Sequence, residues 1–92
     1  MTYRIEFGPH IDWRKFKRLP NVDKKRLQLL IQKKLATQPT LFGKPLRSSL
    51  FPFWSLRVGD YRVIYRIERN IVHIELIGQR TDIYSDAEKW LV

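Results

Sequence analysis

TYRIEF, residues 2–7, alternates apolar and polar side chains with the two-residue period of a β-strand. Gly8-Pro9 ends it. HIDWRKFKRL, residues 10–19, fits a short helix with Ile11, Phe16 and Leu19 as core contacts, and Pro20-Asn21 breaks it. The period then lengthens. Over residues 22 to about 37, Val22, Leu27, Leu30, Ile31 and Leu35 share one helical stripe, while Lys24, Lys25, Lys33 and Lys34 fall largely outside it. Gln38-Pro39-Thr40 closes this second helix. LFGKPLRSSLFP, residues 41–52, reads as a mostly irregular crossing. Three strands follow, at about 53–58, 61–68 and 71–77, and SDAEKWLV, residues 85–92, reads as a short helix. Ser85 and Glu88 have the spacing of a capping box there, with Trp90 and Leu91 as anchors. The expected fold is α+β. A small antiparallel-rich sheet, an N-terminal strand plus a three-stranded meander, packs one face on an N-terminal helical hairpin, and a short C-terminal helix follows. No repeat, linker or low-complexity segment divides residues 1–92, which read as one domain.

Gly59-Asp60 suits a two-residue hairpin loop, and so does Arg69-Asn70. Two such loops put Val58 opposite Tyr61 and Glu68 opposite Ile71. Arg57 then faces Arg62, Arg66 faces His73, Ile64 faces Glu75 and Ile77 faces Arg62. Side chains alternate, so one sheet face carries Trp54, Leu56, Val58, Tyr61, Val63, Tyr65, Ile67, Val72, Ile74 and Leu76, which complete a core under the helices. The other face gathers Arg57, Arg62, Arg66 and His73, with Glu75 as its lone opposing charge. Like charges directly opposite one another destabilise a sheet unless solvent or an anion screens them. That face is either a solvated surface with Glu75 paired to Arg62 or Arg66, or an anion site; a guanidinium fork suits phosphate oxygens. Arg80 and Tyr84, in GQRTDIY, lie beyond the last strand where they can join Arg62, although Tyr84 also suits a core position near the last helix.

Charge changes the weighting. Eighteen Lys and Arg against nine Asp and Glu give a net charge of +9, and the pI is near 10.3. Solubility does not require that sign or size, so a polyanionic partner, nucleic acid or an acidic protein, is expected. There are no cysteines, which excludes a disulfide scaffold and thiolate metal ligation and fits a reducing cytoplasm. His10 and His73 are far apart and in no ligand-spaced pattern, so no metal site is expected. The N-terminal residues lack the apolar core of a signal peptide, and no apolar run approaches a membrane span.

The joined pattern Leu56-Arg57-x-Gly59-x-Tyr61-Arg62-x-x-Tyr65, then Gly78-x-Arg80-x-x-x-Tyr84, resembles the RelE/ParE toxin superfamily of bacterial and archaeal toxin–antitoxin systems. The resemblance covers essentially the whole chain. Its motifs are specific for the superfamily and less so for the branch. On the RelE side it implies a ribosome-dependent endoribonuclease that enters the vacant A site and cuts mRNA there. Ribosome, mRNA and a cognate RelB-like antitoxin covering the basic face would be its partners. ParE-like members share the fold and poison DNA gyrase instead. The Gly78-x-Arg80-x-x-x-Tyr84 ending points to the RelE side. By position, Arg62 matches the arginine that holds the scissile phosphate, Arg80 the one proposed to stabilise charge or protonate the leaving oxygen, and Tyr84 the tyrosine that stacks on an mRNA base. Phe53 and Ser55 stand where the best-known RelE members carry two lysines, and Gln79 where many relatives have histidine. The general base is therefore not named by the resemblance. His73, Glu75 and Lys44 are candidates, and Arg57 is the nearest basic replacement on the same face.

RNA supplies its own nucleophile, the 2′-OH. Cleavage needs that oxygen aligned with the phosphate, charge stabilised on the phosphoryl oxygens, and proton transfer at both ends. Such a transesterification requires no metal or other cofactor. A guanidinium is a poor acid, so Arg80 suits charge stabilisation better than proton donation. Arg57, Arg66, Lys44, Arg47, Lys24, Lys25, Lys33 and Lys34 are the expected RNA-binding residues, in a salt-dependent way. The alternatives are a ParE-like gyrase inhibitor, a toxin-fold binding module without nuclease activity, and a nucleic-acid-binding domain with no toxin role.

Overall fold

The computed structural model describes residues 2–92. Its sheet has five strands in the order β1 (Arg4–Phe7), β5 (Ile71–Gln79), β4 (Tyr61–Glu68), β3 (Trp54–Val58), β2 (Lys44–Pro45). β1 runs parallel to β5, and every other neighbour is antiparallel. β2 was not expected within the crossing. Lys44 pairs with Ser55 and Pro45 with Trp54, and a strand of two residues ending in proline leaves no periodic trace in the sequence. The crossing also holds a one-turn helix, α3 (Pro39–Phe42), and a 3₁₀ turn at Ser48–Leu50.

The helical hairpin is α1 (Trp13–Arg18) and α2 (Asn21–Leu30), the latter continued by a π turn over Ile31–Leu35. Asp12 caps α1, accepting from the Arg14 and Lys15 amides at 3.1 Å each. Leu27, Ile31 and Leu35 are all buried. A four-residue step overshoots an α-helical turn, and the wider π turn brings Ile31 and Leu35 back to the sheet. Val22 falls out of that stripe and is 70% exposed. Asp23 faces the sheet end in its place, accepting a hydrogen bond from the Tyr61 hydroxyl at 3.2 Å.

Two apolar clusters flank the sheet. Beneath the hairpin lie Leu56, Val58, Val63, Tyr65, Val72 and Ile74. On the opposite face Leu50, Ile64 and Leu76 pack against Ile83 and Ala87 of α4 (Ile83–Trp90). Helices therefore cover both sheet faces, where one was expected. The cause is a β-bulge. Arg66 still faces His73 and Tyr65 faces Ile74, but Ile64 faces Leu76, so Glu75 has no partner residue on β4. Beyond it, Leu76 turns to the outer face, Ile77 turns to the hairpin core, and Gly78 rather than Ile77 faces Arg62.

α4 begins at Ile83, not Ser85. The Ser85 hydroxyl donates to the Asp82 carbonyl at 3.1 Å, and Glu88 accepts from Ser49. The expected capping box does not form. Trp90 is 51% exposed and stacks on His10, while Leu91 does pack on the second cluster. Among the described residues no helix is long and apolar enough to cross a membrane.

Candidate functional site

The β3–β4 loop organises the arginines. Gly59 sits at φ 58°, a left-handed conformation that glycine adopts without cost, and the tight loop sets Arg57 directly opposite Arg62 as the alternation predicts. Arg62 bends back over the loop. Its Nη1 donates to the Gly59 carbonyl at 2.9 Å and to the Tyr61 carbonyl at 2.8 Å. Nε and Nη2 have no hydrogen-bond partner among the described residues. Just past β5, the Arg80 amide donates to the Asp60 carbonyl at 2.8 Å, bringing a third arginine to the same loop. Among the described residues Asp60 is the only carboxylate in an ion pair there, with its Oδ1 3.9 Å from Arg80 Nε, and both side chains are largely exposed. Such a pair holds weakly and yields to a better anion. Arg57 is exposed and has no ion-pair partner among the described residues.

The other end of the same face is different. Arg66 Nε lies 3.1 Å from Glu75 Oε2, and its Nη1 lies 3.8 Å from Glu68 Oε1. His73 Nε2 is 3.0 Å from Glu68 and its Nδ1 3.9 Å from Glu6, which also pairs with Arg4 at 3.0 Å. Three carboxylates balance this end, where Glu75 alone was expected. The basic face is thus divided: compensated around Arg66 and His73, open around Arg57, Arg62 and Arg80.

α4 brings Tyr84 to the open end. Its hydroxyl lies 3.1 Å from Ser55 Oγ on β3, and the residue is 38% exposed. Ile83, the preceding residue, lies over Gly78; a Cβ there would sit 3.0 Å from Ile83 Cδ1, so the motif glycine permits the close approach of α4. Lys44 pairs with Ser55 from β2, and cross-strand partners share a face, so Lys44 belongs to this end as well. Arg47 is exposed at the start of the 3₁₀ turn. Lys24, Lys25, Lys33 and Lys34 belong to the helix behind the sheet. Lys24 Nζ donates to the Lys17 carbonyl at 3.1 Å, and Lys34 stands over the Phe42 ring. Neither Phe53 nor Ser55 is an open position on the face. Phe53 packs on the second cluster and Ser55 is buried.

Two tyrosines of the pattern serve the scaffold. Tyr65 is fully buried and donates to the Pro39 carbonyl at 2.6 Å, and burial pushes its phenol well above the ordinary tyrosine value. Tyr61 is raised too, by burial and then by the Asp23 carboxylate that receives its hydrogen bond. A groove of about 680 Å³ runs along β5 beyond the end of β1, between α1 and α4, with Phe16, Gln79 and Trp90 among its walls. Arg18 lines it, while Arg57, Arg62 and Arg80 do not. Sequence reasoning missed the roles of Asp60 and Ser55; a carboxylate in the loop between two arginine strands was the visible sign of the first.

A model of the ParE toxin of type II toxin–antitoxin systems matches residues 10–84, most of the chain. The chain belongs to the RelE/ParE superfamily of type II toxin–antitoxin toxins. Toxin RelG of Mycobacterium tuberculosis is 44% identical to this superfamily member over 52 residues, 54% of this chain and 60% of that one. The match thus spans less than two thirds of that curated relative. The crystal structure of the toxin–antitoxin complex RelBE2 from Mycobacterium tuberculosis contains a chain 30% identical, with a TM-score of 0.77 over 88% of this chain and 94% of that one. The isolated E. coli RelE toxin shares the fold at 19% identity, with a TM-score of 0.65 over 98% and 99% of the two chains.

Proposed function

We propose that this superfamily member acts as a ribosome-dependent endoribonuclease that cleaves mRNA in the A site, and that a cognate RelB-like antitoxin neutralises it. One observation carries the reading: Arg57, Arg62 and Arg80 meet at one loop opposed by a single exposed carboxylate, while the rest of the face is charge-balanced. Concentrating uncompensated guanidinium groups is costly without an anion, and a phosphodiester fills that role. The 2′-hydroxyl gives up its proton as its oxygen attacks phosphorus, the P–O5′ bond breaks, and the leaving 5′-oxygen takes up a proton, giving a 2′,3′-cyclic phosphate and a 5′-hydroxyl. Arg62 and Arg57 stabilise the charge growing on the phosphoryl oxygens, and Arg80 that on the leaving oxygen. Tyr84 stacks on a neighbouring base. Lys44 is the candidate proton carrier, because His73 is engaged by Glu68 and Glu75 by Arg66 at the far end. The ribosome aligns the mRNA, and the other basic side chains, Arg47 and the α2 lysines among them, contact RNA phosphates. Such a protein works in the cytoplasm.

The test is cleavage of mRNA on programmed ribosomes with an empty A site. Cuts within the A-site codon are expected, and Arg62→Ala and Arg80→Ala should each slow them about 100-fold or more, the scale of removing one preorganised charge stabiliser. A folded wild type that leaves the mRNA intact contradicts the reading. The second reading is a gyrase inhibitor. It is favoured by the ParE family match and by Phe53 and Ser55 being engaged in packing where RelE relatives carry lysines. Inhibition of gyrase supercoiling without RNA cleavage would establish it.

A further inference from the structure

We propose that Ser55 is a positioning residue whose buried hydroxyl ties the Tyr84 phenol to β3 and fixes the ring as a stacking shelf on the open arginine end. The inference rests on Tyr84 meeting RNA as proposed above. Ser55 is 7% exposed and, beside the Tyr65 phenol already paired to Pro39, is the one buried polar or charged side chain among the described residues. A hydroxyl so placed needs a partner, and the Tyr84 hydroxyl 3.1 Å away is that partner.

The surroundings explain why a short hydroxylic side chain stands there. Ser55 faces Ile64 on β4 and Lys44 on β2. Ile83 and Ala87 seat α4 on the second cluster, which carries Tyr84 across the sheet to β3. Glu88, one turn further on, is tied to Ser49 and holds the other end of the helix. Serine lets the tyrosine reach the strand and gives its hydroxyl a partner. Arg57 is two residues along β3, on the same face. The tethered ring therefore stands one same-face position from the arginines, partly open to a base. Fixing it before RNA arrives removes an ordering cost from binding.

A double-mutant cycle of Ser55→Ala, Tyr84→Phe and the pair tests this, with Ser55→Thr as the conservative variant, read in two ways. The first reading uses NMR of the free protein and needs neither RNA nor ribosome. Nuclear Overhauser contacts between the Tyr84 ring and β3 should be lost in Ser55→Ala and kept in Ser55→Thr. Unchanged Tyr84 signals in Ser55→Ala overturn the proposal, whatever the protein's target. The second reading is A-site cleavage. Ser55→Ala and Tyr84→Phe should each lower kcat by about tenfold with a smaller change in KM, Ser55→Ala should add nothing in the Tyr84→Phe background, and Ser55→Thr should restore the rate. Independent, multiplying losses overturn the proposal. A wild type that cuts no mRNA refutes the nuclease reading, and the NMR comparison then decides the tether alone.

Discussion

Arg62 and Arg66 stand four residues apart on one strand and one face, yet their surroundings differ in kind. Arg66 has carboxylates at 3.1 and 3.8 Å. Among the described residues Arg62 has only backbone carbonyls as partners, which orient its guanidinium without cancelling its charge. A carbonyl dipole gives geometry and leaves the field, and a carboxylate removes both from a visiting phosphate. Tyr65 supplies a residue-scale prediction of another sort. Its folded-state pKa is raised by burial from an ordinary 10.0, so the folded chain holds this proton when the unfolded chain has lost it. Its contribution to stability is whole below pH 10 and falls as pH rises from there through the folded value, by up to about 1.4 kcal/mol per pH unit. Urea unfolding at pH 9 and pH 11 should show that loss. Tyr65→Phe should flatten it while lowering stability at pH 9, because the bond to Pro39 is gone. An unchanged pH slope in Tyr65→Phe would contradict this.

At the scale of elements, the hairpins were legible and the bulge was not. Alternation and two-residue loops determine register, so the Arg57–Arg62 and Arg66–His73 pairings followed from the sequence. The segment from Val72 to Leu76 alternates without a break, and only the adjacent apolar pair Leu76-Ile77 departs from the pattern where Glu75 goes unpaired. The shift that follows moves Leu76 and Ile77 to opposite faces and makes room for α4. Ile64 amid the arginines was the visible clue to a second apolar cluster. The motif residues Arg62, Arg80 and Tyr84 were legible as site candidates through the family pattern. The charge partition was not, because Glu6 reaches His73 only after β1 joins β5, and Glu68 reaches it diagonally across the β4–β5 hairpin. Ile83 is buried at the centre of the second cluster. Ile83→Ala should therefore cost about 2–5 kcal/mol in denaturant unfolding and release Tyr84 from Ser55. A loss below about 0.5 kcal/mol would show that α4 does not depend on this contact.

For the whole molecule, the net charge of +9 is unevenly deployed. The lysines of α2 and its π turn lie behind the sheet, the Arg66 end of the outer face is balanced, and the loop at Gly59-Asp60 gathers arginines around one weakly held carboxylate. That partition points to one phosphate-binding end on a protein whose charge would otherwise suggest diffuse attraction. The measurement that tests it most directly compares Arg62→Ala with Arg66→Ala in A-site mRNA cleavage, two removals of the same charge from the same strand and face. The partition predicts a loss of about 100-fold or more for Arg62→Ala and less than about threefold for Arg66→Ala. Equal losses in the two variants would contradict it and return the face to a uniform basic surface.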